Sequence, residues 1–288
     1  MLHQLLLLHS AFAEIGTMAD KIRLDRLVEL QGFAESRERA KAVIMSGAIY
    51  INGNRADKPG MMVPADCSIE MHGAPLRYVS RGGLKLEKAL QVFPVSASGK
   101  TCMDCGASTG GFTDVLLQNG ARRVYSIDVG YGQLAWKLRQ DIRVVNLERC
   151  NVRYLTNEQI PESIDLAVMD VSFISVRLLF PVVWQFLKEN GDYICLIKPQ
   201  FEAGREQVGK KGVVRNAEVH EQVITDCLKA AGDCGFAVAG LDYSPIRGPE
   251  GNIEYLLWMK KKADAGAEAD LMEEAAAVVA EAHRALEE

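Results

Sequence analysis

No stretch of this 288-residue chain approaches the ~20 consecutive apolar residues that cross a bilayer as a helix, which argues against a helical membrane span. The nearest imitation is the opening MLHQLLLLHSAFAEIGT. No basic segment precedes its leucines and the apolar run is short, so residues 1–17 are read as a disordered extension or an upstream start rather than a secretory signal. Paired cysteines are missing too: seven at scattered positions argue against a disulfide framework and for a reducing compartment. Cys102 and Cys105 make a lone C-x-x-C with no second pair or nearby histidine, so no metal is expected and both thiols are read as small apolar residues around a strand. Two familiar phosphate loops are absent. The stretch DCGASTGGFTD (104–114) is glycine-rich, yet no lysine lies between Lys100 and Lys137 to complete a Walker loop, and glycines at 106, 110 and 111 do not spell G-x-G-x-x-G. Strong net charge is lacking only on average. The formal charge is -5, but Ala263 to Glu288 holds eight acids against one base, which leaves +2 for the rest and keeps an anionic partner open.

What is present fits a folded, water-soluble chain, with 48% apolar and 25% charged residues. In residues 18–78, Leu24, Leu27, Val28 and Leu30 space a short amphipathic helix, Ser36 caps a second helix with Ala40, Val43 and Ile44 on its apolar face, and AIYING runs into a turn at Asn52 and Gly53. Lys21, Arg23, Arg26, Arg37, Arg39 and Lys41 crowd the polar faces, either as a solvated surface or as a phosphate-binding one. The segment Arg81-Gly82-Gly83 reads as a flexible, cationic hinge.

Beyond it the period changes. Strand-like runs at 101–107, 123–130, 144–148, 164–172, 192–199, 236–244 and 253–261 alternate with helical segments at 112–119, 133–139, 175–190 and 216–234. Such alternation implies a mostly parallel sheet covered on both faces. Only SPIRGPEGN separates the last two strands, so they are expected to pair as an antiparallel hairpin at one edge. The fold class is therefore α/β: a seven-strand doubly wound, Rossmann-like sheet of the class I methyltransferase type over residues 79–262, with a small N-terminal α+β domain. The tail, 263–288, is expected as a solvated acidic helix or as disorder.

In open sheets of this kind the ligand lies beyond the carboxyl ends of the strands, where strand order reverses. The first strand ends at Asp104, which puts the glycine turn there, and Gly106, Ser108, Thr109, Gly110, Gly111 and Phe112 become candidate cofactor residues. Asp128 ends the second strand, where an acid can hold two ribose hydroxyls, with Val129 beside it. An acid at the front of the turn repels a pyrophosphate and attracts an amino or sulfonium group. That pairing favours S-adenosylmethionine over NAD.

Four further residues gather near the same edge: Lys85, Asp170, Lys198 and Glu254. Singly, each is also what a solvated ion pair looks like. The place after the fourth strand reads Asp170-Val171-Ser172-Phe173, without the Pro-Pro turn of exocyclic-nitrogen methylation, and Cys195 sits inside a strand rather than where a C5-methylating nucleophile belongs. An oxygen acceptor is preferred.

The order of elements before residue 78, with RLDRL (23–27), SRERA (36–40) and GAIYING (47–53), resembles the RNA-binding module of ribosomal small-subunit protein four. The motifs SRGGLKL, DCGASTGGFTD, DVSFIS, LIKPQFEAG, GVVRN and SPIRGPEGNIEYL make the chain from about Asp20 to Lys261 similar to FtsJ-like ribose 2'-O-methyltransferases, and more closely to the TlyA family, some of whose members carry an older label as hemolysins. The resemblance implies methylation of cytidine 2'-hydroxyls in ribosomal RNA or ribosomal subunits, in the cytoplasm, without a membrane partner. It lays the family's Lys-Asp-Lys-Glu tetrad on Lys85, Asp170, Lys198 and Glu254, adds Asn151 at the adenine edge with Asp170 near the methyl donor, and sets Arg23, Arg26, Arg37, Arg39, Lys41 and Arg81 against RNA. A lysine accepts the hydroxyl proton only when its surroundings disfavour the ammonium form, which the second lysine and partial burial are expected to supply for Lys198. The alternatives are a membrane-active hemolysin-like protein or a non-catalytic RNA-binding one.

Overall fold

A computed structural model describes residues 21–34, 36–45, 47–72, 77–248, 250–262 and 269–286. The expectation for residues 1–17, and the first part of that for the tail, lie outside the described residues. The chain divides into two compact units, Met1–Ser80 and Arg81–Glu288.

In the first unit β1 (Lys21–Arg23) leads into α1 (Leu24–Leu30) and α2 (Arg37–Met45), followed by β2 (Ile49–Ile51), β3 (Asn54–Ala56), β4 (Met62–Pro64) and β5 (Ile69–Met71). The Ser36 hydroxyl accepts the Arg39 N–H at 3.2 Å, as a helix cap should. Asn52 and Gly53 both take positive φ, 49° and 76°, the twist that a two-residue turn needs to join the antiparallel pair β2–β3. The core is small: Leu24, Leu27 and Val28 of α1 pack with Ala40, Val43 and Ile44 of α2 and with Ile49.

In the second unit the elements run α3 (Gly83–Val92), β6 (Thr101–Cys105), α4 (Gly111–Gln118), β7 (Arg123–Ile127), α5 (Trp136–Arg139), β8 (Val144–Leu147), β9 (Ile164–Met169), α6 (Phe180–Phe186), β10 (Leu187–Ile197), α7 (Pro199–Glu202), α8 (Ala217–Asp233), β11 (Phe236–Tyr243), β12 (Tyr255–Lys261) and α9 (Ala269–Leu286). Seven strands form one sheet in the order β11-β12-β10-β9-β6-β7-β8. The run β10-β9-β6-β7-β8 is parallel, and β12 lies antiparallel between β10 and β11. Strand order reverses between β6 and β9, where ligands gather in such sheets.

Several local expectations change. Residues 133–139 yield only the one-turn α5, because the chain from Asp128 to Ala135 is drawn into hydrogen bonds with the glycine turn and with Glu148. The helix expected over 175–190 is confined to α6: Leu187 already pairs in register with Ile164, Asn190 turns at φ 60°, and pairing resumes at Asp192. Gly82 and Gly83 lie in a helical turn rather than in extended chain. Arg81 and Gly82 carbonyls accept from Leu84 and Lys85 N–H at 3.0 Å, so the glycines belong to the first turn of α3, drawn in by burial of Leu86. The C-terminal helix is not merely solvated. Ala275, Val279 and Ala282, spaced along one helical face, are buried in the main core, while Glu274 stays exposed.

Where α8, α9 and β12 meet, His220 is fully buried. Its Nε2 donates to the Val214 carbonyl at 3.0 Å, which leaves Nδ1 to accept from the Tyr255 hydroxyl at 2.7 Å, with His283 Nε2 at 3.1 Å. Burial holds this imidazole down at about 4. Because the unfolded chain takes up the proton first, His220 contributes stability above the ordinary histidine range near 6.5 and loses it as pH falls through about 4. The unfolding free-energy gap between wild type and His220→Gln should therefore shrink by about 3 kcal/mol from pH 7 to pH 4, as denaturant titration can measure.

Candidate active site

The turn after β6 depends on its first glycine. Gly106 has φ 85°, and a side chain there would stand 2.6 Å from the Asp170 carbonyl oxygen, so the first glycine lets the β6 and β9 exits pass side by side. Ser108, itself at φ 50°, donates its N–H to Asp128 Oδ2 at 2.8 Å, and Gly130 N–H donates to Oδ1 at 2.7 Å. The Asp128 carboxylate at the end of β7 is thereby aimed by backbone on both oxygens. A cleft of about 370 Å³ opens here, and Gly106, Ser108, Asp128, Val129, Asn151 and Asp170 line it.

Five of the residues expected at the cofactor do not line the cleft. Asp104 is wholly buried beneath the turn, with Oδ2 accepting from Thr113 Oγ1 at 2.7 Å and Oδ1 without a partner; burial pushes its carboxyl up to about 7. Thr109 gives its carbonyl to the Ala135 N–H at 3.1 Å. Leu134 and Leu138 occupy the space a side chain on Gly110 would need, so that glycine serves packing rather than close approach of a ligand. Gly111 starts α4 and Phe112 is buried in it. Sequence reasoning had in turn missed Ile127, Gln133, Cys150, Val152, the run Val171 to Ile174, and Leu179, which complete the lining. The DVSFIS motif was the available signal for that run. Gln133 carried none, and reaches the site by placing Oε1 3.3 Å from Ser108 Oγ.

The tetrad comes together from four elements: Lys85 on α3, Asp170 after β9, Lys198 after β10, and Glu254 just before β12. Lys198 Nζ lies 2.5 Å from Asp170 Oδ1, Lys85 Nζ lies 3.2 Å from Asp170 Oδ2, and Lys85 Nζ lies 2.5 Å from Glu254 Oε2. Lys198 also donates to Ser172 Oγ at 3.1 Å. The charges thus alternate, Lys198–Asp170–Lys85–Glu254. The expected opposition of two lysines is corrected by this arrangement, since Asp170 stands between them and offsets their repulsion. Burial alone would lower the Lys85 ammonium, but the charges of Asp170 and Glu254 more than reverse it and leave it raised. Burial likewise pushes Asp170 up, and the two ammonium groups outweigh that, so it stays ionised below the ordinary carboxylate range.

The basic residues of the first unit are less free than their sequence suggests. Asp25 is fully buried and takes Arg23 at 3.1 and 2.8 Å and Arg37 Nε at 3.1 Å, bonds that hold its carboxyl down at about 2. Arg39 reaches the Tyr78 carbonyl at 3.2 Å. Arg26 is exposed and Lys41 half-buried, and Arg81 falls in the second unit, half-buried before α3. Among the described residues no helix is long and apolar enough to cross a membrane.

A seven-strand sheet with an antiparallel strand next to its edge, and a cleft at the reversal point holding an aimed carboxylate, defines a Rossmann-like class I methyltransferase. The FtsJ-like methyltransferase family matches residues 78–261 and the S4 domain matches residues 22–66. The chain belongs to the TlyA family of FtsJ-like methyltransferases. It is 52% identical over 270 residues to the protein YqxC of Bacillus subtilis, provisionally called an rRNA methyltransferase, covering 93% of this chain and 96% of that one. It is 41% identical to the 16S/23S rRNA (cytidine-2'-O)-methyltransferase TlyA of Mycobacterium tuberculosis, over 94% of this chain and 99% of that one. Among solved structures, a Streptococcus thermophilus protein provisionally called a hemolysin superposes with a TM-score of 0.76 at 46% identity, covering 94% of this chain and 98% of that one.

Proposed function

We propose that this methyltransferase moves the methyl group of S-adenosylmethionine to the 2'-hydroxyl of a cytidine ribose in ribosomal RNA, as a cytoplasmic enzyme. The observation that carries this reading is the alternating Lys198–Asp170–Lys85–Glu254 cluster at the rim of the cleft. The name of the Mycobacterium tuberculosis relative supports it.

The residues present fit the cofactor. Asp128, held by two backbone N–H groups, has lone pairs left for a ribose diol, and Asn151 and the apolar wall of Cys150, Val152 and Leu179 suit an adenine. When bound, the cofactor supplies an electrophilic sulfonium methyl. A ribose hydroxyl is a weak nucleophile at neutral pH, so the protein must position it and remove its proton. Lys198 is the group assigned to take that proton on Nζ, with Asp170 orienting it. Lys85 and Glu254 fix the charge of the pocket and hold the ribose. The S4 module binds RNA phosphates through Arg26, Lys41 and the exposed parts of Arg23 and Arg37, with Arg39 of the same unit, and Arg81 of the second unit adds a further cation for RNA.

Titration with labelled S-adenosylmethionine tests the reading: saturable binding is expected, and its absence would refute it. Asp128→Asn should weaken that binding about 10- to 100-fold, because an amide nitrogen would face a backbone N–H and a charged acceptor would be lost. Unchanged circular dichroism together with equilibrium dialysis checks this; wild-type affinity in the variant would remove Asp128 from the site.

A further inference from the structure

Asp170 and Lys198 end neighbouring strands, and the chain that follows each strand is tied to the other by three separate links. Lys198 Nζ donates to Ser172 Oγ at 3.1 Å, and the rings of Phe173 and Phe201 meet with centroids 5.1 Å apart. The third link is Glu202, the last residue of α7, whose side chain is only 2% exposed. Its Oε1 accepts the Val176 N–H at 2.7 Å, and its Oε2 accepts from the Ser175 hydroxyl at 2.6 Å and from Arg177 Nε at 3.1 Å. Arg177 Nη2 returns a bond to the Glu202 carbonyl at 3.3 Å. Burial nonetheless pushes the Glu202 carboxyl up, a cost that a solvated acid at this turn would not bear.

All three donors to the Glu202 carboxylate, two side chains and one backbone N–H, come from one short segment. That segment directly follows Val171, Ser172, Phe173 and Ile174, which line the cleft, and Phe173 is held at φ 65°, a left-handed conformation that a bulky side chain does not keep unless its neighbours impose it. We propose that Glu202 is a positioning residue: it clasps the cleft wall formed after β9 to the turn that carries Lys198, and so sets both the Lys198–Asp170 geometry and the shape of the cofactor cleft. The inference rests on the methyl-transfer reading above. Glu202 acts through Ser175, Val176 and Arg177, none of which belongs to the tetrad.

Glu202→Gln keeps one acceptor oxygen for Val176 but turns an amide toward Ser175 and Arg177, whereas Ser175→Ala removes the bond to Glu202 and the 3.2 Å bond that Ser175 Oγ accepts from Arg177 Nε, and leaves the carboxylate paired with Val176 and Arg177. Full-length wild type and both variants are titrated with S-adenosylmethionine and assayed for transfer to ribosomal RNA well below their melting temperatures. Glu202→Gln is expected to raise the cofactor Kd about tenfold and lower kcat about tenfold while KM for RNA stays within about twofold. Ser175→Ala should show smaller changes of the same kind, and the double variant should be no worse than Glu202→Gln alone, as for two ends of one link. A residue that only stabilises the fold would lower the melting temperature and leave Kd and kcat at wild-type values; that result overturns the proposal. If Glu202→Gln does not fold, Ser175→Ala carries the test, and wild-type kinetics there overturn it equally. A wild type that binds no cofactor refutes the methyl-transfer reading, whereas an active wild type matched by its variants refutes only the role of Glu202.

Discussion

Lys198→Met is expected to lower kcat for methyl transfer by about 10³-fold, within the range contributed by a positioned general base, while the cofactor Kd stays within a few-fold of wild type. Methionine keeps the length of the stem and removes the amine that lies 2.5 Å from Asp170 Oδ1, opposite the oxygen that faces Lys85. Lys198→Arg makes the sharper comparison. It preserves a positive charge beside Asp170, but a guanidinium does not give up its proton, so it should be nearly as inactive as methionine. Activity within about tenfold of wild type in the arginine variant would mean that the position supplies charge rather than proton acceptance. Stopped-time assays with saturating RNA and cofactor read the difference directly.

A chain beginning at Arg81 should bind S-adenosylmethionine as well as the whole protein and transfer its methyl group at least 100-fold less efficiently in kcat/KM for ribosomal RNA, since several phosphate contacts are lost together. The second unit contains the whole seven-strand sheet, the cleft and the main hydrophobic core, which is why cofactor binding should survive. The log of kcat/KM for the full chain should fall with the log of salt concentration, and the shortened chain should show a flatter slope. Arg26→Glu and Lys41→Glu, which leave Asp25 and its arginine partners untouched, should weaken the whole protein in the same direction by a smaller factor. Equal rates for the two chains would count against RNA docking by the S4 module.

The sheet was legible because its strands are apolar runs rich in Val, Ile and Leu broken by turn residues, and because acids and lysines at their ends stand out against that background. The residues at those ends, Asp128, Asp170 and Lys198, do meet at one edge, since parallel strands carry their carboxyl ends to the same side. What joins them sideways was not legible. Periodicity gives no sign that Asp170 lies between two lysines, and local spacing gives no sign that Asp25 is buried and takes up Arg23 and Arg37. The loop wall from Val171 to Ile174 and the contribution of Gln133 depend on tertiary bonds that no sequence period encodes. The alanine- and glutamate-rich end looked solvated by composition, yet Ala275, Val279 and Ala282, with Val278 and Leu286 beside them, pack it against the core. Gly106 and Gly110 show the same limit: both glycines are required, but one makes room for the Asp170 backbone and the other for two leucines.

The central claim, methyl transfer to a ribose oxygen, is tested most directly by incubating the protein with methyl-labelled S-adenosylmethionine and ribosomal RNA, as naked 16S and 23S RNA and as purified subunits, and digesting the product with alkali. Because a 2'-O-methyl group blocks the neighbouring phosphodiester from cleavage, the account predicts label in an alkali-resistant dinucleotide that begins with cytidine. Label recovered in mononucleotides, on a base, would contradict it, and so would cofactor binding without transfer to any of these RNAs.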